Sequence, residues 1–193
     1  MAYTLDIGSQ APNFSMKATD GKIYRLSNFS DHGILVIFFT CNHCPYALGS
    51  DEITRKTADN FYFKGIRFVA INSNIAEDNE EDSFESMVKR VEENCFPWLY
   101  LHDQTQKFAR AFGVSRTPHF FVFDETRRLV YSGSATDQPH HSSKITENHL
   151  EKALSELLTG KPVSIPVTDP IGCSIKWKRK DKKWMPSEAC DLV

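Results

Sequence analysis

Two apolar periods alternate along this chain. Ile34-Leu35-Val36-Ile37-Phe38-Phe39 is an unbroken run of β-branched and aromatic side chains, the pattern of a parallel strand buried on both faces. Residues 66 to 72 repeat it and end at Asn72-Ser73-Asn74. Between the two runs, residues 44 to about 63 predict a helix with Pro45 in its first turn, where a missing N–H costs nothing. Gly49-Ser50 marks a place where that helix is expected to kink or break. Phe84, Met87, Val88 and Val91 recur at helical spacing and predict a second helix over 82–95, opened by Asp82 or Ser83.

Shorter elements flank these. Residues 7 to 26 carry two extended pieces around the turn dipeptide Asp20-Gly21. Residues 98–101 read as a short strand, and 104–112 as a brief helix closed by Gly113. Residues 119–123 and 129–131 form a second hairpin around 124–128, and 147–158 make a last helix capped by Gly160. This order predicts an α/β domain over 1–160, without internal repeats. Residues 161–193 form an appended arm with two cysteines and a basic cluster (Lys176, Lys178, Arg179, Lys180, Lys182, Lys183).

Composition narrows the class. A net charge of −2 over 193 residues gives no electrostatic reason for nucleic acid or an anionic membrane as the main partner. No apolar run reaches membrane-spanning length. The first residues lack the basic-then-apolar pattern of a secretory signal, so a cytoplasmic location is expected. The five cysteines, Cys41, Cys44, Cys95, Cys173 and Cys190, are too sparse for a disulfide framework.

The candidate chemistry lies where the first apolar run meets the helix, at Thr40-Cys41-Asn42-His43-Cys44-Pro45. Two thiols two residues apart can close a small disulfide ring. The helix dipole and His43 would both favour a thiolate at Cys41, so the expected roles are attack by Cys41 and resolution by Cys44. The competing reading is a pair of buried apolar cysteines, with His43 merely exposed on the helix. Arg116 is either an attractor for a thiolate or anion, or a solvated loop charge. Cys173 would relay a disulfide if the arm folded back, and is otherwise a passenger. Cys95 is expected to pack at the end of its helix, and Cys190 to have no role. His140-His141 and the basic cluster read as solvated surface. No HExxH, Walker or GxGxxG motif is present, and no bound cofactor is expected.

These residues resemble the thioredoxin-fold superfamily, and within it the peroxiredoxin-like redoxins of the alkyl hydroperoxide reductase/thiol-specific antioxidant group. The likeness rests on three features: Gly8-x-x-Ala11-Pro12-x-Phe14, the strand–CxxC–helix, and Gly113-Val-Ser-Arg116-Thr117-Pro118-His119-Phe-Phe-Val-Phe123. Cys-Asn-His-Cys-Pro-Tyr (41 to 46), Val69 to Asn74 and Gly172 to Trp177 are similar to a narrower group of redoxins. The resemblance implies a central mixed sheet with helices on both faces, an N-terminal hairpin, and a cis Pro118 beside the cysteines. It implies Thr40, Thr117 and Arg116 as substrate-contacting residues. The implied partners are protein or small-molecule disulfides or peroxides, and an external thiol reductant such as thioredoxin or glutathione.

The chain also departs from its relatives. Thr40 stands where thioredoxins have Trp, and the strand before it lacks their buried acid. Cys44-Pro45 matches the peroxiredoxin Cys-Pro, but Thr40 is one residue out of place for their Thr. A His that ends the intervening pair implies a centre more oxidising than that of thioredoxin. Thiol-dependent peroxidase chemistry is one alternative. Cu(I) binding is another, since soft thiolates suit that ion, with His119, His140 or His141 as third ligand.

Overall fold

A computed structural model describes residues 4–76, 79–139 and 144–178. The central strand β3 (Ile34–Thr40) is buried along its whole length, because both of its neighbours are strands and both of its faces are covered. It pairs in parallel with β4 (Ile66–Asn72) and antiparallel with β7 (His119–Phe123). The sheet continues through β5 (Leu99–His102), β1 (Ser15–Ala18) and β2 (Ile23–Arg25) on one side, and β8 (Leu129–Gly133) on the other. Its order is β2-β1-β5-β4-β3-β7-β8. β3, β4 and β5 run parallel and the remaining pairings are antiparallel, so the sheet is mixed.

Alternation along β3 divides the core in two, since successive side chains of a strand point to opposite faces. Leu35, Ile37 and Phe39 join Phe14, Phe121 and the Ala109 and Phe112 side chains of α3 (Lys107–Phe112). Val36 and Phe38 join Ala58 and Phe61 of α1 (Pro45–Phe61), Met87 of α2 (Phe84–Asn94), and Leu150, Ala153 and Leu154 of α4 (His149–Leu158). Phe38 stacks on Phe120 at 4.9 Å and meets Trp98 edge-on at 5.3 Å, a geometry that adds to simple burial. Helices thus cover both faces, as expected.

Several boundaries differ from expectation. α1 runs unbroken through Gly49-Ser50. Burial of Ala47, Ser50, Thr54, Ala58 and Phe61 on one side supplies the packing that outweighs a glycine's cost. Of the two openers expected for α2, Ser83 is the cap, its side chain accepting the Ser86 N–H. Cys95 lies exposed at the left-handed C-cap of α2 rather than packed.

Residues beyond Gly160 return to the body. Ser132 donates to Pro166 O at 2.9 Å, and Thr168 donates back to Ser132 O at 3.0 Å. A two-residue strand β9 (Cys173–Ser174) then pairs antiparallel with β6 (Arg116–Thr117), and Ile175 is fully buried in the core. The basic cluster from Arg179 on, His140, His141 and Cys190 lie outside the described residues.

His119 proves to be a core residue. It is fully buried, stacks on Phe121 at 4.3 Å and hydrogen-bonds Ser132 at 3.0 Å. Burial pushes its imidazole down from 6.5 to about 3. The unfolded chain takes up this proton below pH 6.5 while the folded chain does not. The stability contributed by the neutral ring is therefore complete above pH 6.5 and is lost as the pH falls toward 3. His119→Phe is expected to flatten this acid limb, and denaturant titrations across that pH range would read the change in slope.

Candidate active site

The CxxC loop leaves the C-terminal end of β3 and enters α1. Cys44 is itself the N-cap of α1 and Pro45 its first residue, so the Cys44 sulfur, not that of Cys41, lies at the helix's positive end. Cys41 and Cys44 are free thiols with no exposed surface. Thr117 stands against both. Its hydroxyl is 3.3 Å from the Cys41 sulfur, and its carbonyl accepts from the Cys44 thiol at 3.4 Å. The Thr117–Pro118 peptide is cis. A third thiol closes the group: Cys173, half-buried on β9, packs on the pair and is within hydrogen-bonding contact of Cys44.

These contacts distribute charge differently from the sequence expectation. Cys44 is drawn down to about 5, chiefly by the Cys41 thiol donating to it, with Cys173 and the Ala47 N–H adding to the effect against the cost of burial. Cys41 is pushed up by the same hydrogen bond, by burial and by the Asp82 carboxylate, which together outweigh the opposing Thr117 hydroxyl. The two sulfurs are thus pushed in opposite directions, Cys44 toward the thiolate and Cys41 away from it. A helix terminus acts only within its first turn, and Cys41 precedes that turn.

A buried acid, absent from β3, arrives from elsewhere in the chain. Asp82 is fully buried and collects four donors. One oxygen accepts the Asn42 N–H at 2.8 Å and the Asn72 amide at 3.1 Å. The other accepts the Asn74 amide at 3.0 Å and faces His43 Nδ1 at 2.5 Å. From sequence, Asp82 or Ser83 opens α2, and His43 either favours a thiolate or lies exposed. The pairing across 39 positions has no local signal.

A second clamp holds the loop from α2. Arg90 donates to Cys41 O at 2.9 Å and to the Asn42 side-chain oxygen at 3.0 Å, and is ion-paired with Asp51. The Tyr100 hydroxyl donates to the same Asn42 oxygen at 2.9 Å.

The other expected site residues take varied positions. Thr40 is the buried last residue of β3, paired in register with Asn72. Arg116 is not a free loop charge, since its guanidinium donates to Gly172 O at 2.9 Å. Cys41, His43 and Asp82 bring one sulfur, one nitrogen and one oxygen to within 4.8 Å of one another, whereas His119 is a core residue of β7. Among the described residues no helix is long and apolar enough to cross a membrane.

A mixed sheet in this order, with CxxC at a strand–helix junction and Thr117–Pro118 against it, defines a thioredoxin-like fold. The family model of Redoxin matches residues 6–154, and the chain belongs to that family as a peroxiredoxin-like redoxin. A conserved protein of uncharacterised function from Geobacillus kaustophilus has 40% identity and a TM-score of 0.85, over 91% of this chain and 94% of its own. A hypothetical protein from Sinorhizobium meliloti 1021 is 34% identical with a TM-score of 0.85, over 91% and 96% respectively. A chloroplastic peroxiredoxin Q of Oryza sativa subsp. japonica is 26% identical over 107 residues, 55% of this chain and 46% of the relative. The chain thus spans about half the length of the curated relatives it matches.

Asp82→Ala should destabilise the protein by about 3 kcal/mol, the scale of a broken buried charge network. It should also release Asn42 and His43. Denaturant unfolding of the reduced protein would read the first effect, and the loop's proton chemical shifts the second.

Proposed function

We propose that this protein is a thiol–disulfide oxidoreductase whose Cys41–Cys44 pair cycles between dithiol and disulfide. The observation that carries this reading is the pair of buried free thiols packed together at the N-terminus of α1, both held by Thr117 beside the cis Thr117–Pro118 peptide. Two free thiols held side by side in this way are poised for the loss of two electrons and closure of the ring. The charge favours Cys44 for the attack and Cys41 for resolution, the reverse of the order expected from sequence. Thr117 orients both sulfurs, and Asp82 with Arg90 holds the loop between them. No bound cofactor is required, and the partner that resets the pair is an external thiol such as thioredoxin or glutathione. The body and the docked arm act as one unit, working in the cytoplasm.

A peroxidase reading has its own support. Cys44 combines a lowered proton affinity, Pro45 immediately after it and complete burial, which suits a small hydroperoxide. A relative is named peroxiredoxin Q. For Cu(I), the histidine best placed beside the thiols is His43 rather than His119.

Titration against dithiothreitol or glutathione couples, followed by alkylation and peptide masses, tests the main reading. A reversible Cys41–Cys44 disulfide with a midpoint between roughly −270 and −120 mV is expected. No reversible oxidation of either cysteine would overturn it. In the reduced protein, thiolate absorbance should rise with pH around a midpoint near 5 and vanish in Cys44→Ser.

A further inference from the structure

The buried pair raises a question of access, and the arm answers it. Cys41 and Cys44 have no exposed surface, while Cys173, in contact with Cys44, is the half-exposed member of the cluster. A thiol or disulfide in solution therefore meets Cys173 first.

The arm is also fitted to its position. Cys173 pairs in register with Thr117, the residue that touches both other sulfurs. Gly172 lies so close to Thr117 that a Cβ there would come 1.9 Å from its carbonyl oxygen. Arg116 holds Gly172 O, and Ile175 donates to Ser115 O at 3.0 Å. Beyond it, Lys176 N–H donates to Asn74 at 2.9 Å, and Gln106 donates to Lys176 O at 2.7 Å. Asn74 is itself a ligand of Asp82, so one network fixes both the CxxC loop and the arm. The strand edge of β6 beside the sulfurs, where an incoming polypeptide could add a strand, is occupied by the chain itself.

We propose that Cys173 is a third redox-active thiol, held along β6 as a tethered internal substrate, which exchanges with Cys44 and carries electrons between the buried pair and external thiols. This rests on the redox reading above. With the pair oxidised, the Cys173 sulfur attacks that of Cys44. The Cys44–Cys173 bond forms as the Cys41–Cys44 bond breaks, and Cys41 leaves with the proton given up by Cys173. An external thiolate then attacks Cys173 to give a mixed disulfide, with Cys44 as leaving group, which its N-cap position stabilises as a thiolate. A second external thiol attacks that mixed disulfide and frees Cys173. Two external thiols become one disulfide, and the protein gains two electrons and two protons.

The test combines trapping with rates. Cys41→Ser protein treated with oxidised glutathione should yield a Cys44–Cys173 link in peptide masses. Glutathione left on Cys44 beside a free Cys173 would overturn the proposal. In stopped-flow reduction of the oxidised protein by glutathione, Cys173→Ser should slow the reaction by roughly tenfold or more, given the high effective concentration of a tethered thiol. Gly172→Ala, whose Cβ must push the arm off Thr117, should slow it similarly. Equal rates in all three proteins would overturn the proposed role of Cys173 while leaving the Cys41–Cys44 chemistry intact. Failure of the wild-type pair to form its disulfide would instead remove the reading beneath it.

Discussion

Four donors on one buried carboxylate set the geometry of this site. A carboxylate out of water must find hydrogen-bond donors, and Asp82 finds them at the tip of β4, in the CxxC loop and in His43. Satisfying the acid and fixing the loop are therefore the same event. Because Asn74 also accepts from the Lys176 backbone, the condition extends to the arm. The CxxC loop and the segment that covers it share one polar anchor.

Within that frame the two buried thiols meet unlike surroundings. A charge in apolar surroundings is costly, and burial alone would raise both sulfurs. Here the Cys41 proton, Cys173 and the first turn of α1 converge on Cys44, while the Asp82 charge opposes ionisation of Cys41. Neighbouring groups thus push the two sulfurs in opposite directions. Distance along the chain does not reveal such asymmetry.

The general architecture was legible because it rests on local patterns. Unbroken apolar runs gave β3 and β4, helical spacing gave α2, and the Thr117-Pro118 and CxxC motifs gave the kind of fold. The kink expected at Gly49-Ser50 did not appear, because the face that α1 buries outweighs a weak local preference. The helix dipole expected to act on Cys41 acts instead from Cys44, since the helix begins at Cys44 itself. Asp82 and Ser83 were equal candidates for the opener of α2, because an acid before Ser83 looks the same whether it faces water or the core.

By itself, then, the sequence determined the order of strands and helices, the position of the cysteine pair between them and the family to which the chain belongs. These follow from periodicity and short motifs, which act over a few residues. Only tertiary structure decided which sulfur caps α1, which acid supports the loop, and that Cys173 meets Cys44. Those outcomes depend on contacts such as Asp82 with His43, 39 positions apart, and Arg116 with Gly172, 56 apart. A strand edge accepts whichever segment the folded chain returns to it, and that choice is made by packing across the whole domain.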